Sequence, residues 1–188
     1  MIDFKNVSFS YKKQKVLNNF NLTVNDGERI CLFAPSGYGK TTILRLIMGL
    51  EKPNSGKISG VLNKNISAVF QEDRLLPNKT VLENITLFGG EDNAEEILKN
   101  LGLYDAISQY PNELSGGMAR RTAIARALNL TSDIYIFDEP FNGIDKENIK
   151  KIADYINIIT KNKTVFLVTH DINEAELLKC KLINLQEL

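Results

Sequence analysis

The chain has 188 residues, of which 43% are apolar and 24% charged, the balance of an ordinary soluble globular protein with one substantial core. Its 23 basic and 23 acidic residues cancel, so the composition gives no basic face for nucleic acid or anionic lipid. No run of 18 apolar residues and no apolar signal segment at the N-terminus occur, so we expect any membrane contact to pass through a partner.

The N-terminal part predicts two antiparallel strands, a buried strand and a helix. Apolar residues alternate from Ile2 to Tyr11, the period of a half-buried strand, and a polar turn leads to a second strand region at Val16–Val24. The continuous apolar run Arg29–Phe33 is typical of a strand covered on both faces. A helix is expected next, before a turn at 53–56, with four apolar residues on one face: Ile43, Leu46, Ile47 and Leu50.

Farther along the chain, helices and strands alternate. Residues 72–113 are expected to be mostly helical, and a short tail is expected after the last helix. This alternation predicts a single α/β domain, residues 1–188, on a mainly parallel sheet covered on both faces. Strands are expected at Ile66–Phe70, Ile134–Phe137 and Thr164–Val168, and helices at Ala94–Leu101, at about 118–130 and through Ile149, Ile152, Ala153, Ile156 and Ile159.

A glycine-rich loop joins the buried strand to the first helix. It matches the phosphate-binding pattern G-x-x-x-x-G-K-[ST], with Ala34 in place of the first glycine. In such a loop the backbone N–H groups cradle phosphate oxygens, Lys40 neutralises the β- and γ-phosphates, and the Thr41 hydroxyl ligates Mg²⁺. ATP and Mg²⁺ are therefore the expected cofactors, and a solvated glycine turn is the alternative. The candidate nucleotide-binding residues here are Ala34, Pro35, Ser36, Gly37, Tyr38, Gly39, Lys40, Thr41 and Thr42.

Two adjacent acids follow a second buried strand. Asp138 and Glu139 come directly after Ile134–Phe137. Ligands of parallel sheets bind beyond the carboxyl ends of the strands. Asp138 is thus a candidate to hold Mg²⁺ through water, and Glu139 a candidate to orient or deprotonate an attacking water. A solvated acidic turn is the alternative.

A third pattern, Leu114-Ser115-Gly116-Gly117-Met118, stands directly before a predicted helix. Ser115 is a natural N-cap, and the paired glycines leave backbone amides bare. By itself the pattern indicates only a helix cap. Its place between the phosphate-binding loop and the acid pair favours a second phosphate-contacting loop.

In these motifs and their order the chain resembles the ATP-binding subunits of ABC transporters, from Tyr11 to about Leu185. The resemblance implies an α/β P-loop cassette with a mainly parallel core sheet, an N-terminal antiparallel β subdomain and a small helical subdomain inserted at roughly 72–130. It also implies that two copies, as a homodimer or a paired cassette, close head to tail and hydrolyse ATP. The residues expected to bind nucleotide in trans are Leu114, Ser115, Gly116, Gly117, Met118 and Asp145.

The resemblance assigns roles to three further residues. Tyr11 looks like the aromatic residue that stacks on adenine, with one more strand-face aromatic as the alternative. Gln71 looks like the glutamine that ligates Mg²⁺ and senses the γ-phosphate, with an ordinary surface glutamine as the alternative. His170 resembles the histidine that contacts the γ-phosphate, although a lone histidine elsewhere would more often be packed in a core. The expected catalytic residues are Glu139, His170, Lys40 and Gln71, and the expected metal ligands are Thr41, Gln71 and Asp138.

Within the family, Phe70–Pro77 and Leu82–Ile85 look most like importers of nitrate, sulfonates and taurine. That implies a small solute, an integral-membrane permease as partner and a place at the cytoplasmic face of the membrane. Arg74 and Leu75 are expected to contact the permease, unless Leu75 belongs to the core of the helical subdomain. Three alternatives stay open: an exporter subunit, a soluble ATPase acting on DNA or ribosomes, and a regulatory cassette that does not hydrolyse ATP.

The chain departs from the family pattern at several positions. Ala34 replaces a glycine, and we expect its φ to be negative so that its methyl group costs little. Tyr38 stands where a small residue is usual, and its ring is expected to point away from the phosphates. Asn142 and Gly143 vary the segment that links the two sites, and Ala119–Arg121 replaces a stretch that more often contains glutamine.

Overall fold

The structure is a computed structural model that describes residues 1–12 and 14–187. This part of the chain forms eight strands and six helices, with short 3₁₀ turns at Tyr104–Ala106, Pro111–Glu113 and Leu185–Glu187. The strands are β1 Ile2–Tyr11, β2 Gln14–Val24, β3 Arg29–Phe33, β4 Ser55–Ser59, β5 Ile66–Val69, β6 Ile134–Asp138, β7 Thr164–Val168 and β8 Lys181–Asn184. The helices are α1 Lys40–Ile47, α2 Val81–Gly89, α3 Ala94–Asn100, α4 Gly116–Leu128, α5 Lys146–Ile159 and α6 Ile172–Leu177.

The strands form two sheets, which confirms the predicted parallel core sheet and N-terminal antiparallel subdomain. Strands β2, β1 and β4 make an antiparallel sheet in that order. The other five strands make a parallel sheet in the order β5-β6-β7-β3-β8. This order makes β6, β7 and β3 neighbours, so the segments after their carboxyl ends meet at one edge of the sheet.

The parallel sheet separates two apolar cores, and successive residues of a strand serve opposite cores because side chains alternate across a strand. Ile136 and Phe166 pack with β1, β2 and α1. Phe137 and Leu167, one residue later in each strand, pack with the helices on the other face. Among the described residues, no helix has both the length and the hydropathy needed to cross a bilayer.

Several sequence predictions about elements were wrong. The expected turn at 53–56 overlaps β4, which begins at Ser55; its polar sequence carries no alternation, and it pairs through its backbone with β1. The expected tail contains β8, a half-exposed edge strand beside β3. Leu50 lies beyond the end of α1 and is 58% exposed, so it is not on the buried helix face. Strand β5 ends at Val69, and α4 begins and ends two residues before the predicted bounds.

Candidate functional site

The glycine-rich loop lies between β3 and α1, as predicted, and its lysine points back into it. Gly39 is the N-cap of α1 with φ of 83°, a conformation that favours glycine, and a Cβ there would lie 2.9 Å from Cγ1 of Val16. Lys40 is only 7% exposed. Its Nζ donates to the backbone oxygens of Ala34 at 2.6 Å and Pro35 at 3.1 Å. The loop therefore holds a buried cation at the N-terminus of a helix, where the backbone N–H groups favour anions.

Ala34 sits in this loop without backbone strain. It is 3% exposed, and it is not among the described non-glycine residues that have positive φ, which fits the expectation of a negative φ. We therefore expect Ala34→Gly to leave ATP affinity within about threefold of wild type. Gly39→Ala is the matched control, since its left-handed φ makes the methyl group cost about 1–2 kcal/mol, roughly fivefold to thirtyfold in affinity. A nucleotide titration measures both, and a tenfold tightening by Ala34→Gly would show that the native loop is strained.

The Tyr38 side chain lies on the outside of the loop. Its ring is 45% exposed, and its hydroxyl accepts a hydrogen bond from Nε2 of Gln186 at 3.2 Å. Tyr38 lines a separate cleft with Phe20, Ile43 and Leu185 and does not line the cavity that contains Lys40. The expectation that its ring faces away from the phosphate site fits this placement.

Asp138 is the last residue of β6 and faces α1, the helix that follows the glycine-rich loop. Its Oδ2 accepts a hydrogen bond from the Thr41 hydroxyl at 3.4 Å. Burial raises the pKa of Asp138, while the Thr41 hydrogen bond and the charges of Arg120 and Lys40 oppose that rise. A hydroxyl and a carboxylate side by side are oxygen donors of the kind that Mg²⁺ prefers, so these residues fit the ion.

Glu139 follows in a strained conformation that turns its side chain toward the histidine. Its φ is +51°, which is uncommon for a residue with a Cβ, and its N–H donates to the oxygen of Val168 at 2.8 Å. Its Oε1 lies 3.3 Å from Nε2 of His170. Burial raises the pKa of Glu139, and nearby His170 lowers it in part. A carboxyl group with a raised pKa beside a phosphate loop is suited to accept a proton.

One cavity of about 340 Å³ collects most of the predicted residues. It also receives three residues that the sequence did not single out: Gln14, Val16 and Val168. Gln14 pairs with Tyr11 across the first turn, and Val168 is the last residue of β7. These two positions, beside a predicted site residue and at the carboxyl end of a core strand, are the sequence signals that could have identified them. The predicted residues that line the cavity are Tyr11, Ser36, Gly37, Gly39, Lys40, Thr41, Thr42, Gln71, Asp138, Glu139 and His170.

The Leu114–Met118 segment does not line this cavity. Ser115 is exposed and caps α4, its Oγ accepting from the Met118 N–H at 3.2 Å. A Cβ on Gly117 would lie 2.9 Å from the oxygen of Gly143, so glycine permits a close approach between the two loops. Leu114 and Met118 pack against the core, and Asp145 is exposed at the start of α5. Within one chain none of these residues lines the cavity that contains Lys40, and their role in trans stays a prediction.

Comparisons with known proteins agree on one family. The ABC transporter family model matches residues 17–142. The chain is 36% identical over 200 residues to the arginine transport ATP-binding protein ArtM of Bacillus subtilis, covering 94% of this chain and 83% of that protein. It is 39% identical over 178 residues to the aliphatic sulfonates import ATP-binding protein SsuB of Corynebacterium glutamicum, covering 88% and 72%.

A solved structure has the same fold. MJ0796, described as a bacterial ABC transporter cassette and solved as a dimer, superposes with a TM-score of 0.85 at 32% sequence identity. The match covers 98% of this chain and 95% of that one. MJ0796 has also been solved in a post-hydrolysis state bound to ADP and Pi.

Proposed function

The chain belongs to the ABC transporter family, whose cassettes bind and hydrolyse ATP, and we propose that it powers a membrane importer of a small solute. The observation that carries the ATPase part is the single cavity shared by Lys40, Thr41, Asp138, Glu139 and His170. Relatives named for transport of arginine and import of aliphatic sulfonates support the import part.

In the proposed reaction, ATP and water give ADP and phosphate, and the protein acts mainly by position and charge. Lys40 and the N-terminus of α1 bind the β- and γ-phosphates, and Tyr11 supplies a ring for adenine. Thr41, Asp138 and Gln71 would hold Mg²⁺, which neutralises phosphate charge when bound. Glu139 accepts the proton of the attacking water, and His170 holds the γ-phosphate.

We further propose that the active form is a head-to-tail dimer. Each Ser115–Gly117 segment, with Ser115 and Gly116 exposed, would contact the γ-phosphate bound by the other copy, since it lies outside the cavity of its own chain. The dimeric MJ0796 structure supports the formation of a dimer. Residues of roughly 72–130 would form a helical subdomain inserted in one nucleotide-binding domain that spans residues 1–188.

The permease contact is proposed at the segment after Gln71. Hydrogen bonds fix the backbone of this segment. Arg126 donates to the backbone oxygens of Asp73 and Arg74. The Asn84 side chain accepts from the Leu76 N–H and donates to the Leu76 oxygen. The Arg74 side chain is 48% exposed and lies 4.2 Å over the Phe70 ring. Leu76 is 38% exposed.

Leu75 is half-buried and belongs to neither apolar core. A cation and two accessible leucines on a fixed backbone suit a protein partner, because apolar area gives affinity and a charge gives register. The alternative, in which these leucines form the core of the helical subdomain, is therefore disfavoured. Contact with a permease would place the chain at the cytoplasmic face of the membrane.

The test is Arg74→Ala combined with Leu75→Ser, assayed in the isolated chain and with its permease in vesicles. We expect the melting temperature to fall by less than about 3 °C and the ATP affinity to stay within about threefold. Transport and permease-stimulated ATP hydrolysis should fall about tenfold or more, because both contacts to the partner are lost.

Leu62→Ser is the matched control, since Leu62 is 84% exposed and lies outside this segment. It should change neither transport nor stability. If Leu75 were core, the double variant would lose about 2–5 kcal/mol of unfolding free energy, and such a loss in the isolated chain would contradict the permease contact.

A further inference from the structure

Arg120 connects the helix that follows Ser115 to the strand end that carries the acids. It lies on α4 and is 2% exposed. Its Nη2 donates to the backbone oxygens of Asp138 at 2.7 Å and Glu139 at 2.5 Å. Its Nε donates to the oxygen of Pro140 at 3.0 Å. Three consecutive carbonyl groups at the end of β6 are therefore held by one guanidinium.

The same side chain also holds the segment that carries Gln71. Nη1 of Arg120 donates to the backbone oxygen of Phe70 at 2.5 Å and contacts that of Gln71 at 3.4 Å. It also forms an ion pair with Oδ1 of Asp73 at 3.0 Å. An arginine has five N–H donors in a planar fork, and here all three side-chain nitrogens donate to acceptors at or just after the ends of the neighbouring strands β5 and β6.

A buried cation with this set of partners fixes geometry more than it adds stability. Its desolvation is offset by the carbonyl dipoles and by Asp73, and each carbonyl would lose its charged hydrogen-bond donor if the guanidinium were removed. A glutamine has only two N–H donors and could not satisfy the same acceptors.

We propose that Arg120 is a positioning residue for ATP hydrolysis. It holds the backbone of Asp138 and Glu139 at a fixed distance from the backbone of Gln71, and it makes the first turns of α4 part of the same rigid unit. The left-handed conformation of Glu139 makes this support necessary, because a strained residue persists only where its surroundings hold it. The proposal rests on the proposed ATPase function and adds a residue that does not touch the nucleotide.

The experiment compares Arg120→Gln and Arg120→Lys with Arg121→Gln in the full chain, using ATP and Mg²⁺. Arg121 is the control because it lies on the same helix and also donates to backbone oxygens, those of Leu101, Gly102 and Gly117, but none at the strand ends.

For Arg120→Gln we expect kcat to fall about tenfold or more, with the KM for ATP within about threefold. Arg120→Lys, with three donors, should recover part of kcat. Arg121→Gln should lower the melting temperature but keep kcat within about twofold.

All rates are measured well below the melting temperature of each variant, so that loss of folded protein does not enter kcat. A kcat of Arg120→Gln within about twofold of wild type, or an equal fall in Arg121→Gln, would overturn the proposal. If Arg120→Gln does not fold, Arg120→Lys decides by the same criterion. The wild-type assay distinguishes this outcome from failure of the proposed function. If the wild-type chain does not hydrolyse ATP, the proposed function fails before any variant is compared.

Discussion

Replacing Glu139 with glutamine is expected to lower the rate of ATP hydrolysis about 10²–10⁴-fold while ATP still binds. The amide keeps the shape of the side chain but cannot accept a proton from water. The geometry supports this role: the carboxyl group lies 3.3 Å from His170 Nε2, and burial raises its pKa. Lys40 and the loop proposed to bind phosphate are not altered, so affinity should stay within about threefold.

Glu72→Gln makes the same chemical change on a carboxylate one residue from Gln71, with a side chain that is 84% exposed. It should hydrolyse ATP at the wild-type rate. Phosphate release under saturating ATP and Mg²⁺, together with a nucleotide titration, separates turnover from binding. Turnover of Glu139→Gln within about threefold of wild type would remove Glu139 from the role of base.

The parallel core was predictable because its strands are covered on both faces. Arg29–Phe33 and Thr164–Val168 were located to the residue, since a continuous apolar run ends where the buried strand ends. Ser55–Ser59 was missed because it has one half-buried apolar residue and is held by backbone pairing with β1. Pairing with a distant strand leaves no local pattern in the sequence.

The site residues that directly follow a buried strand could be predicted from the sequence, and those that depend on tertiary contacts could not. The loop at Lys40 and the acids at Asp138 follow buried strands, so their convergence could be expected. The role of Arg120 could not be read from the sequence, which showed only an unusual residue. Its partners come from segments about 20 and 50 positions away, and only the fold brings their carbonyl groups together.

Changing Ser115 to aspartate is expected to weaken ATP-driven dimerisation without unfolding α4. Aspartate is as good an N-cap as serine, so the Met118 N–H keeps its acceptor and the melting temperature should change little. In the proposed dimer, however, the new carboxylate would face the γ-phosphate bound by the other copy.

Two like charges about 4 Å apart repel by about 1 kcal/mol in water and about 4 kcal/mol in a partly buried site. That cost weakens the dimer by roughly fivefold to a thousandfold. If Ser115 were only a helix cap, the substitution would be silent.

Sedimentation velocity of Glu139→Gln with ATP and Mg²⁺ tests most directly whether two copies of this chain share their nucleotide sites. The slow variant should sediment as a monomer without nucleotide and as a dimer with ATP. The double variant Glu139→Gln, Ser115→Asp should bind ATP equally well and need a protein concentration at least about fivefold higher to dimerise. A dimer of the double variant as stable as that of Glu139→Gln, or a Glu139→Gln chain that remains monomeric at saturating ATP, would contradict the head-to-tail site.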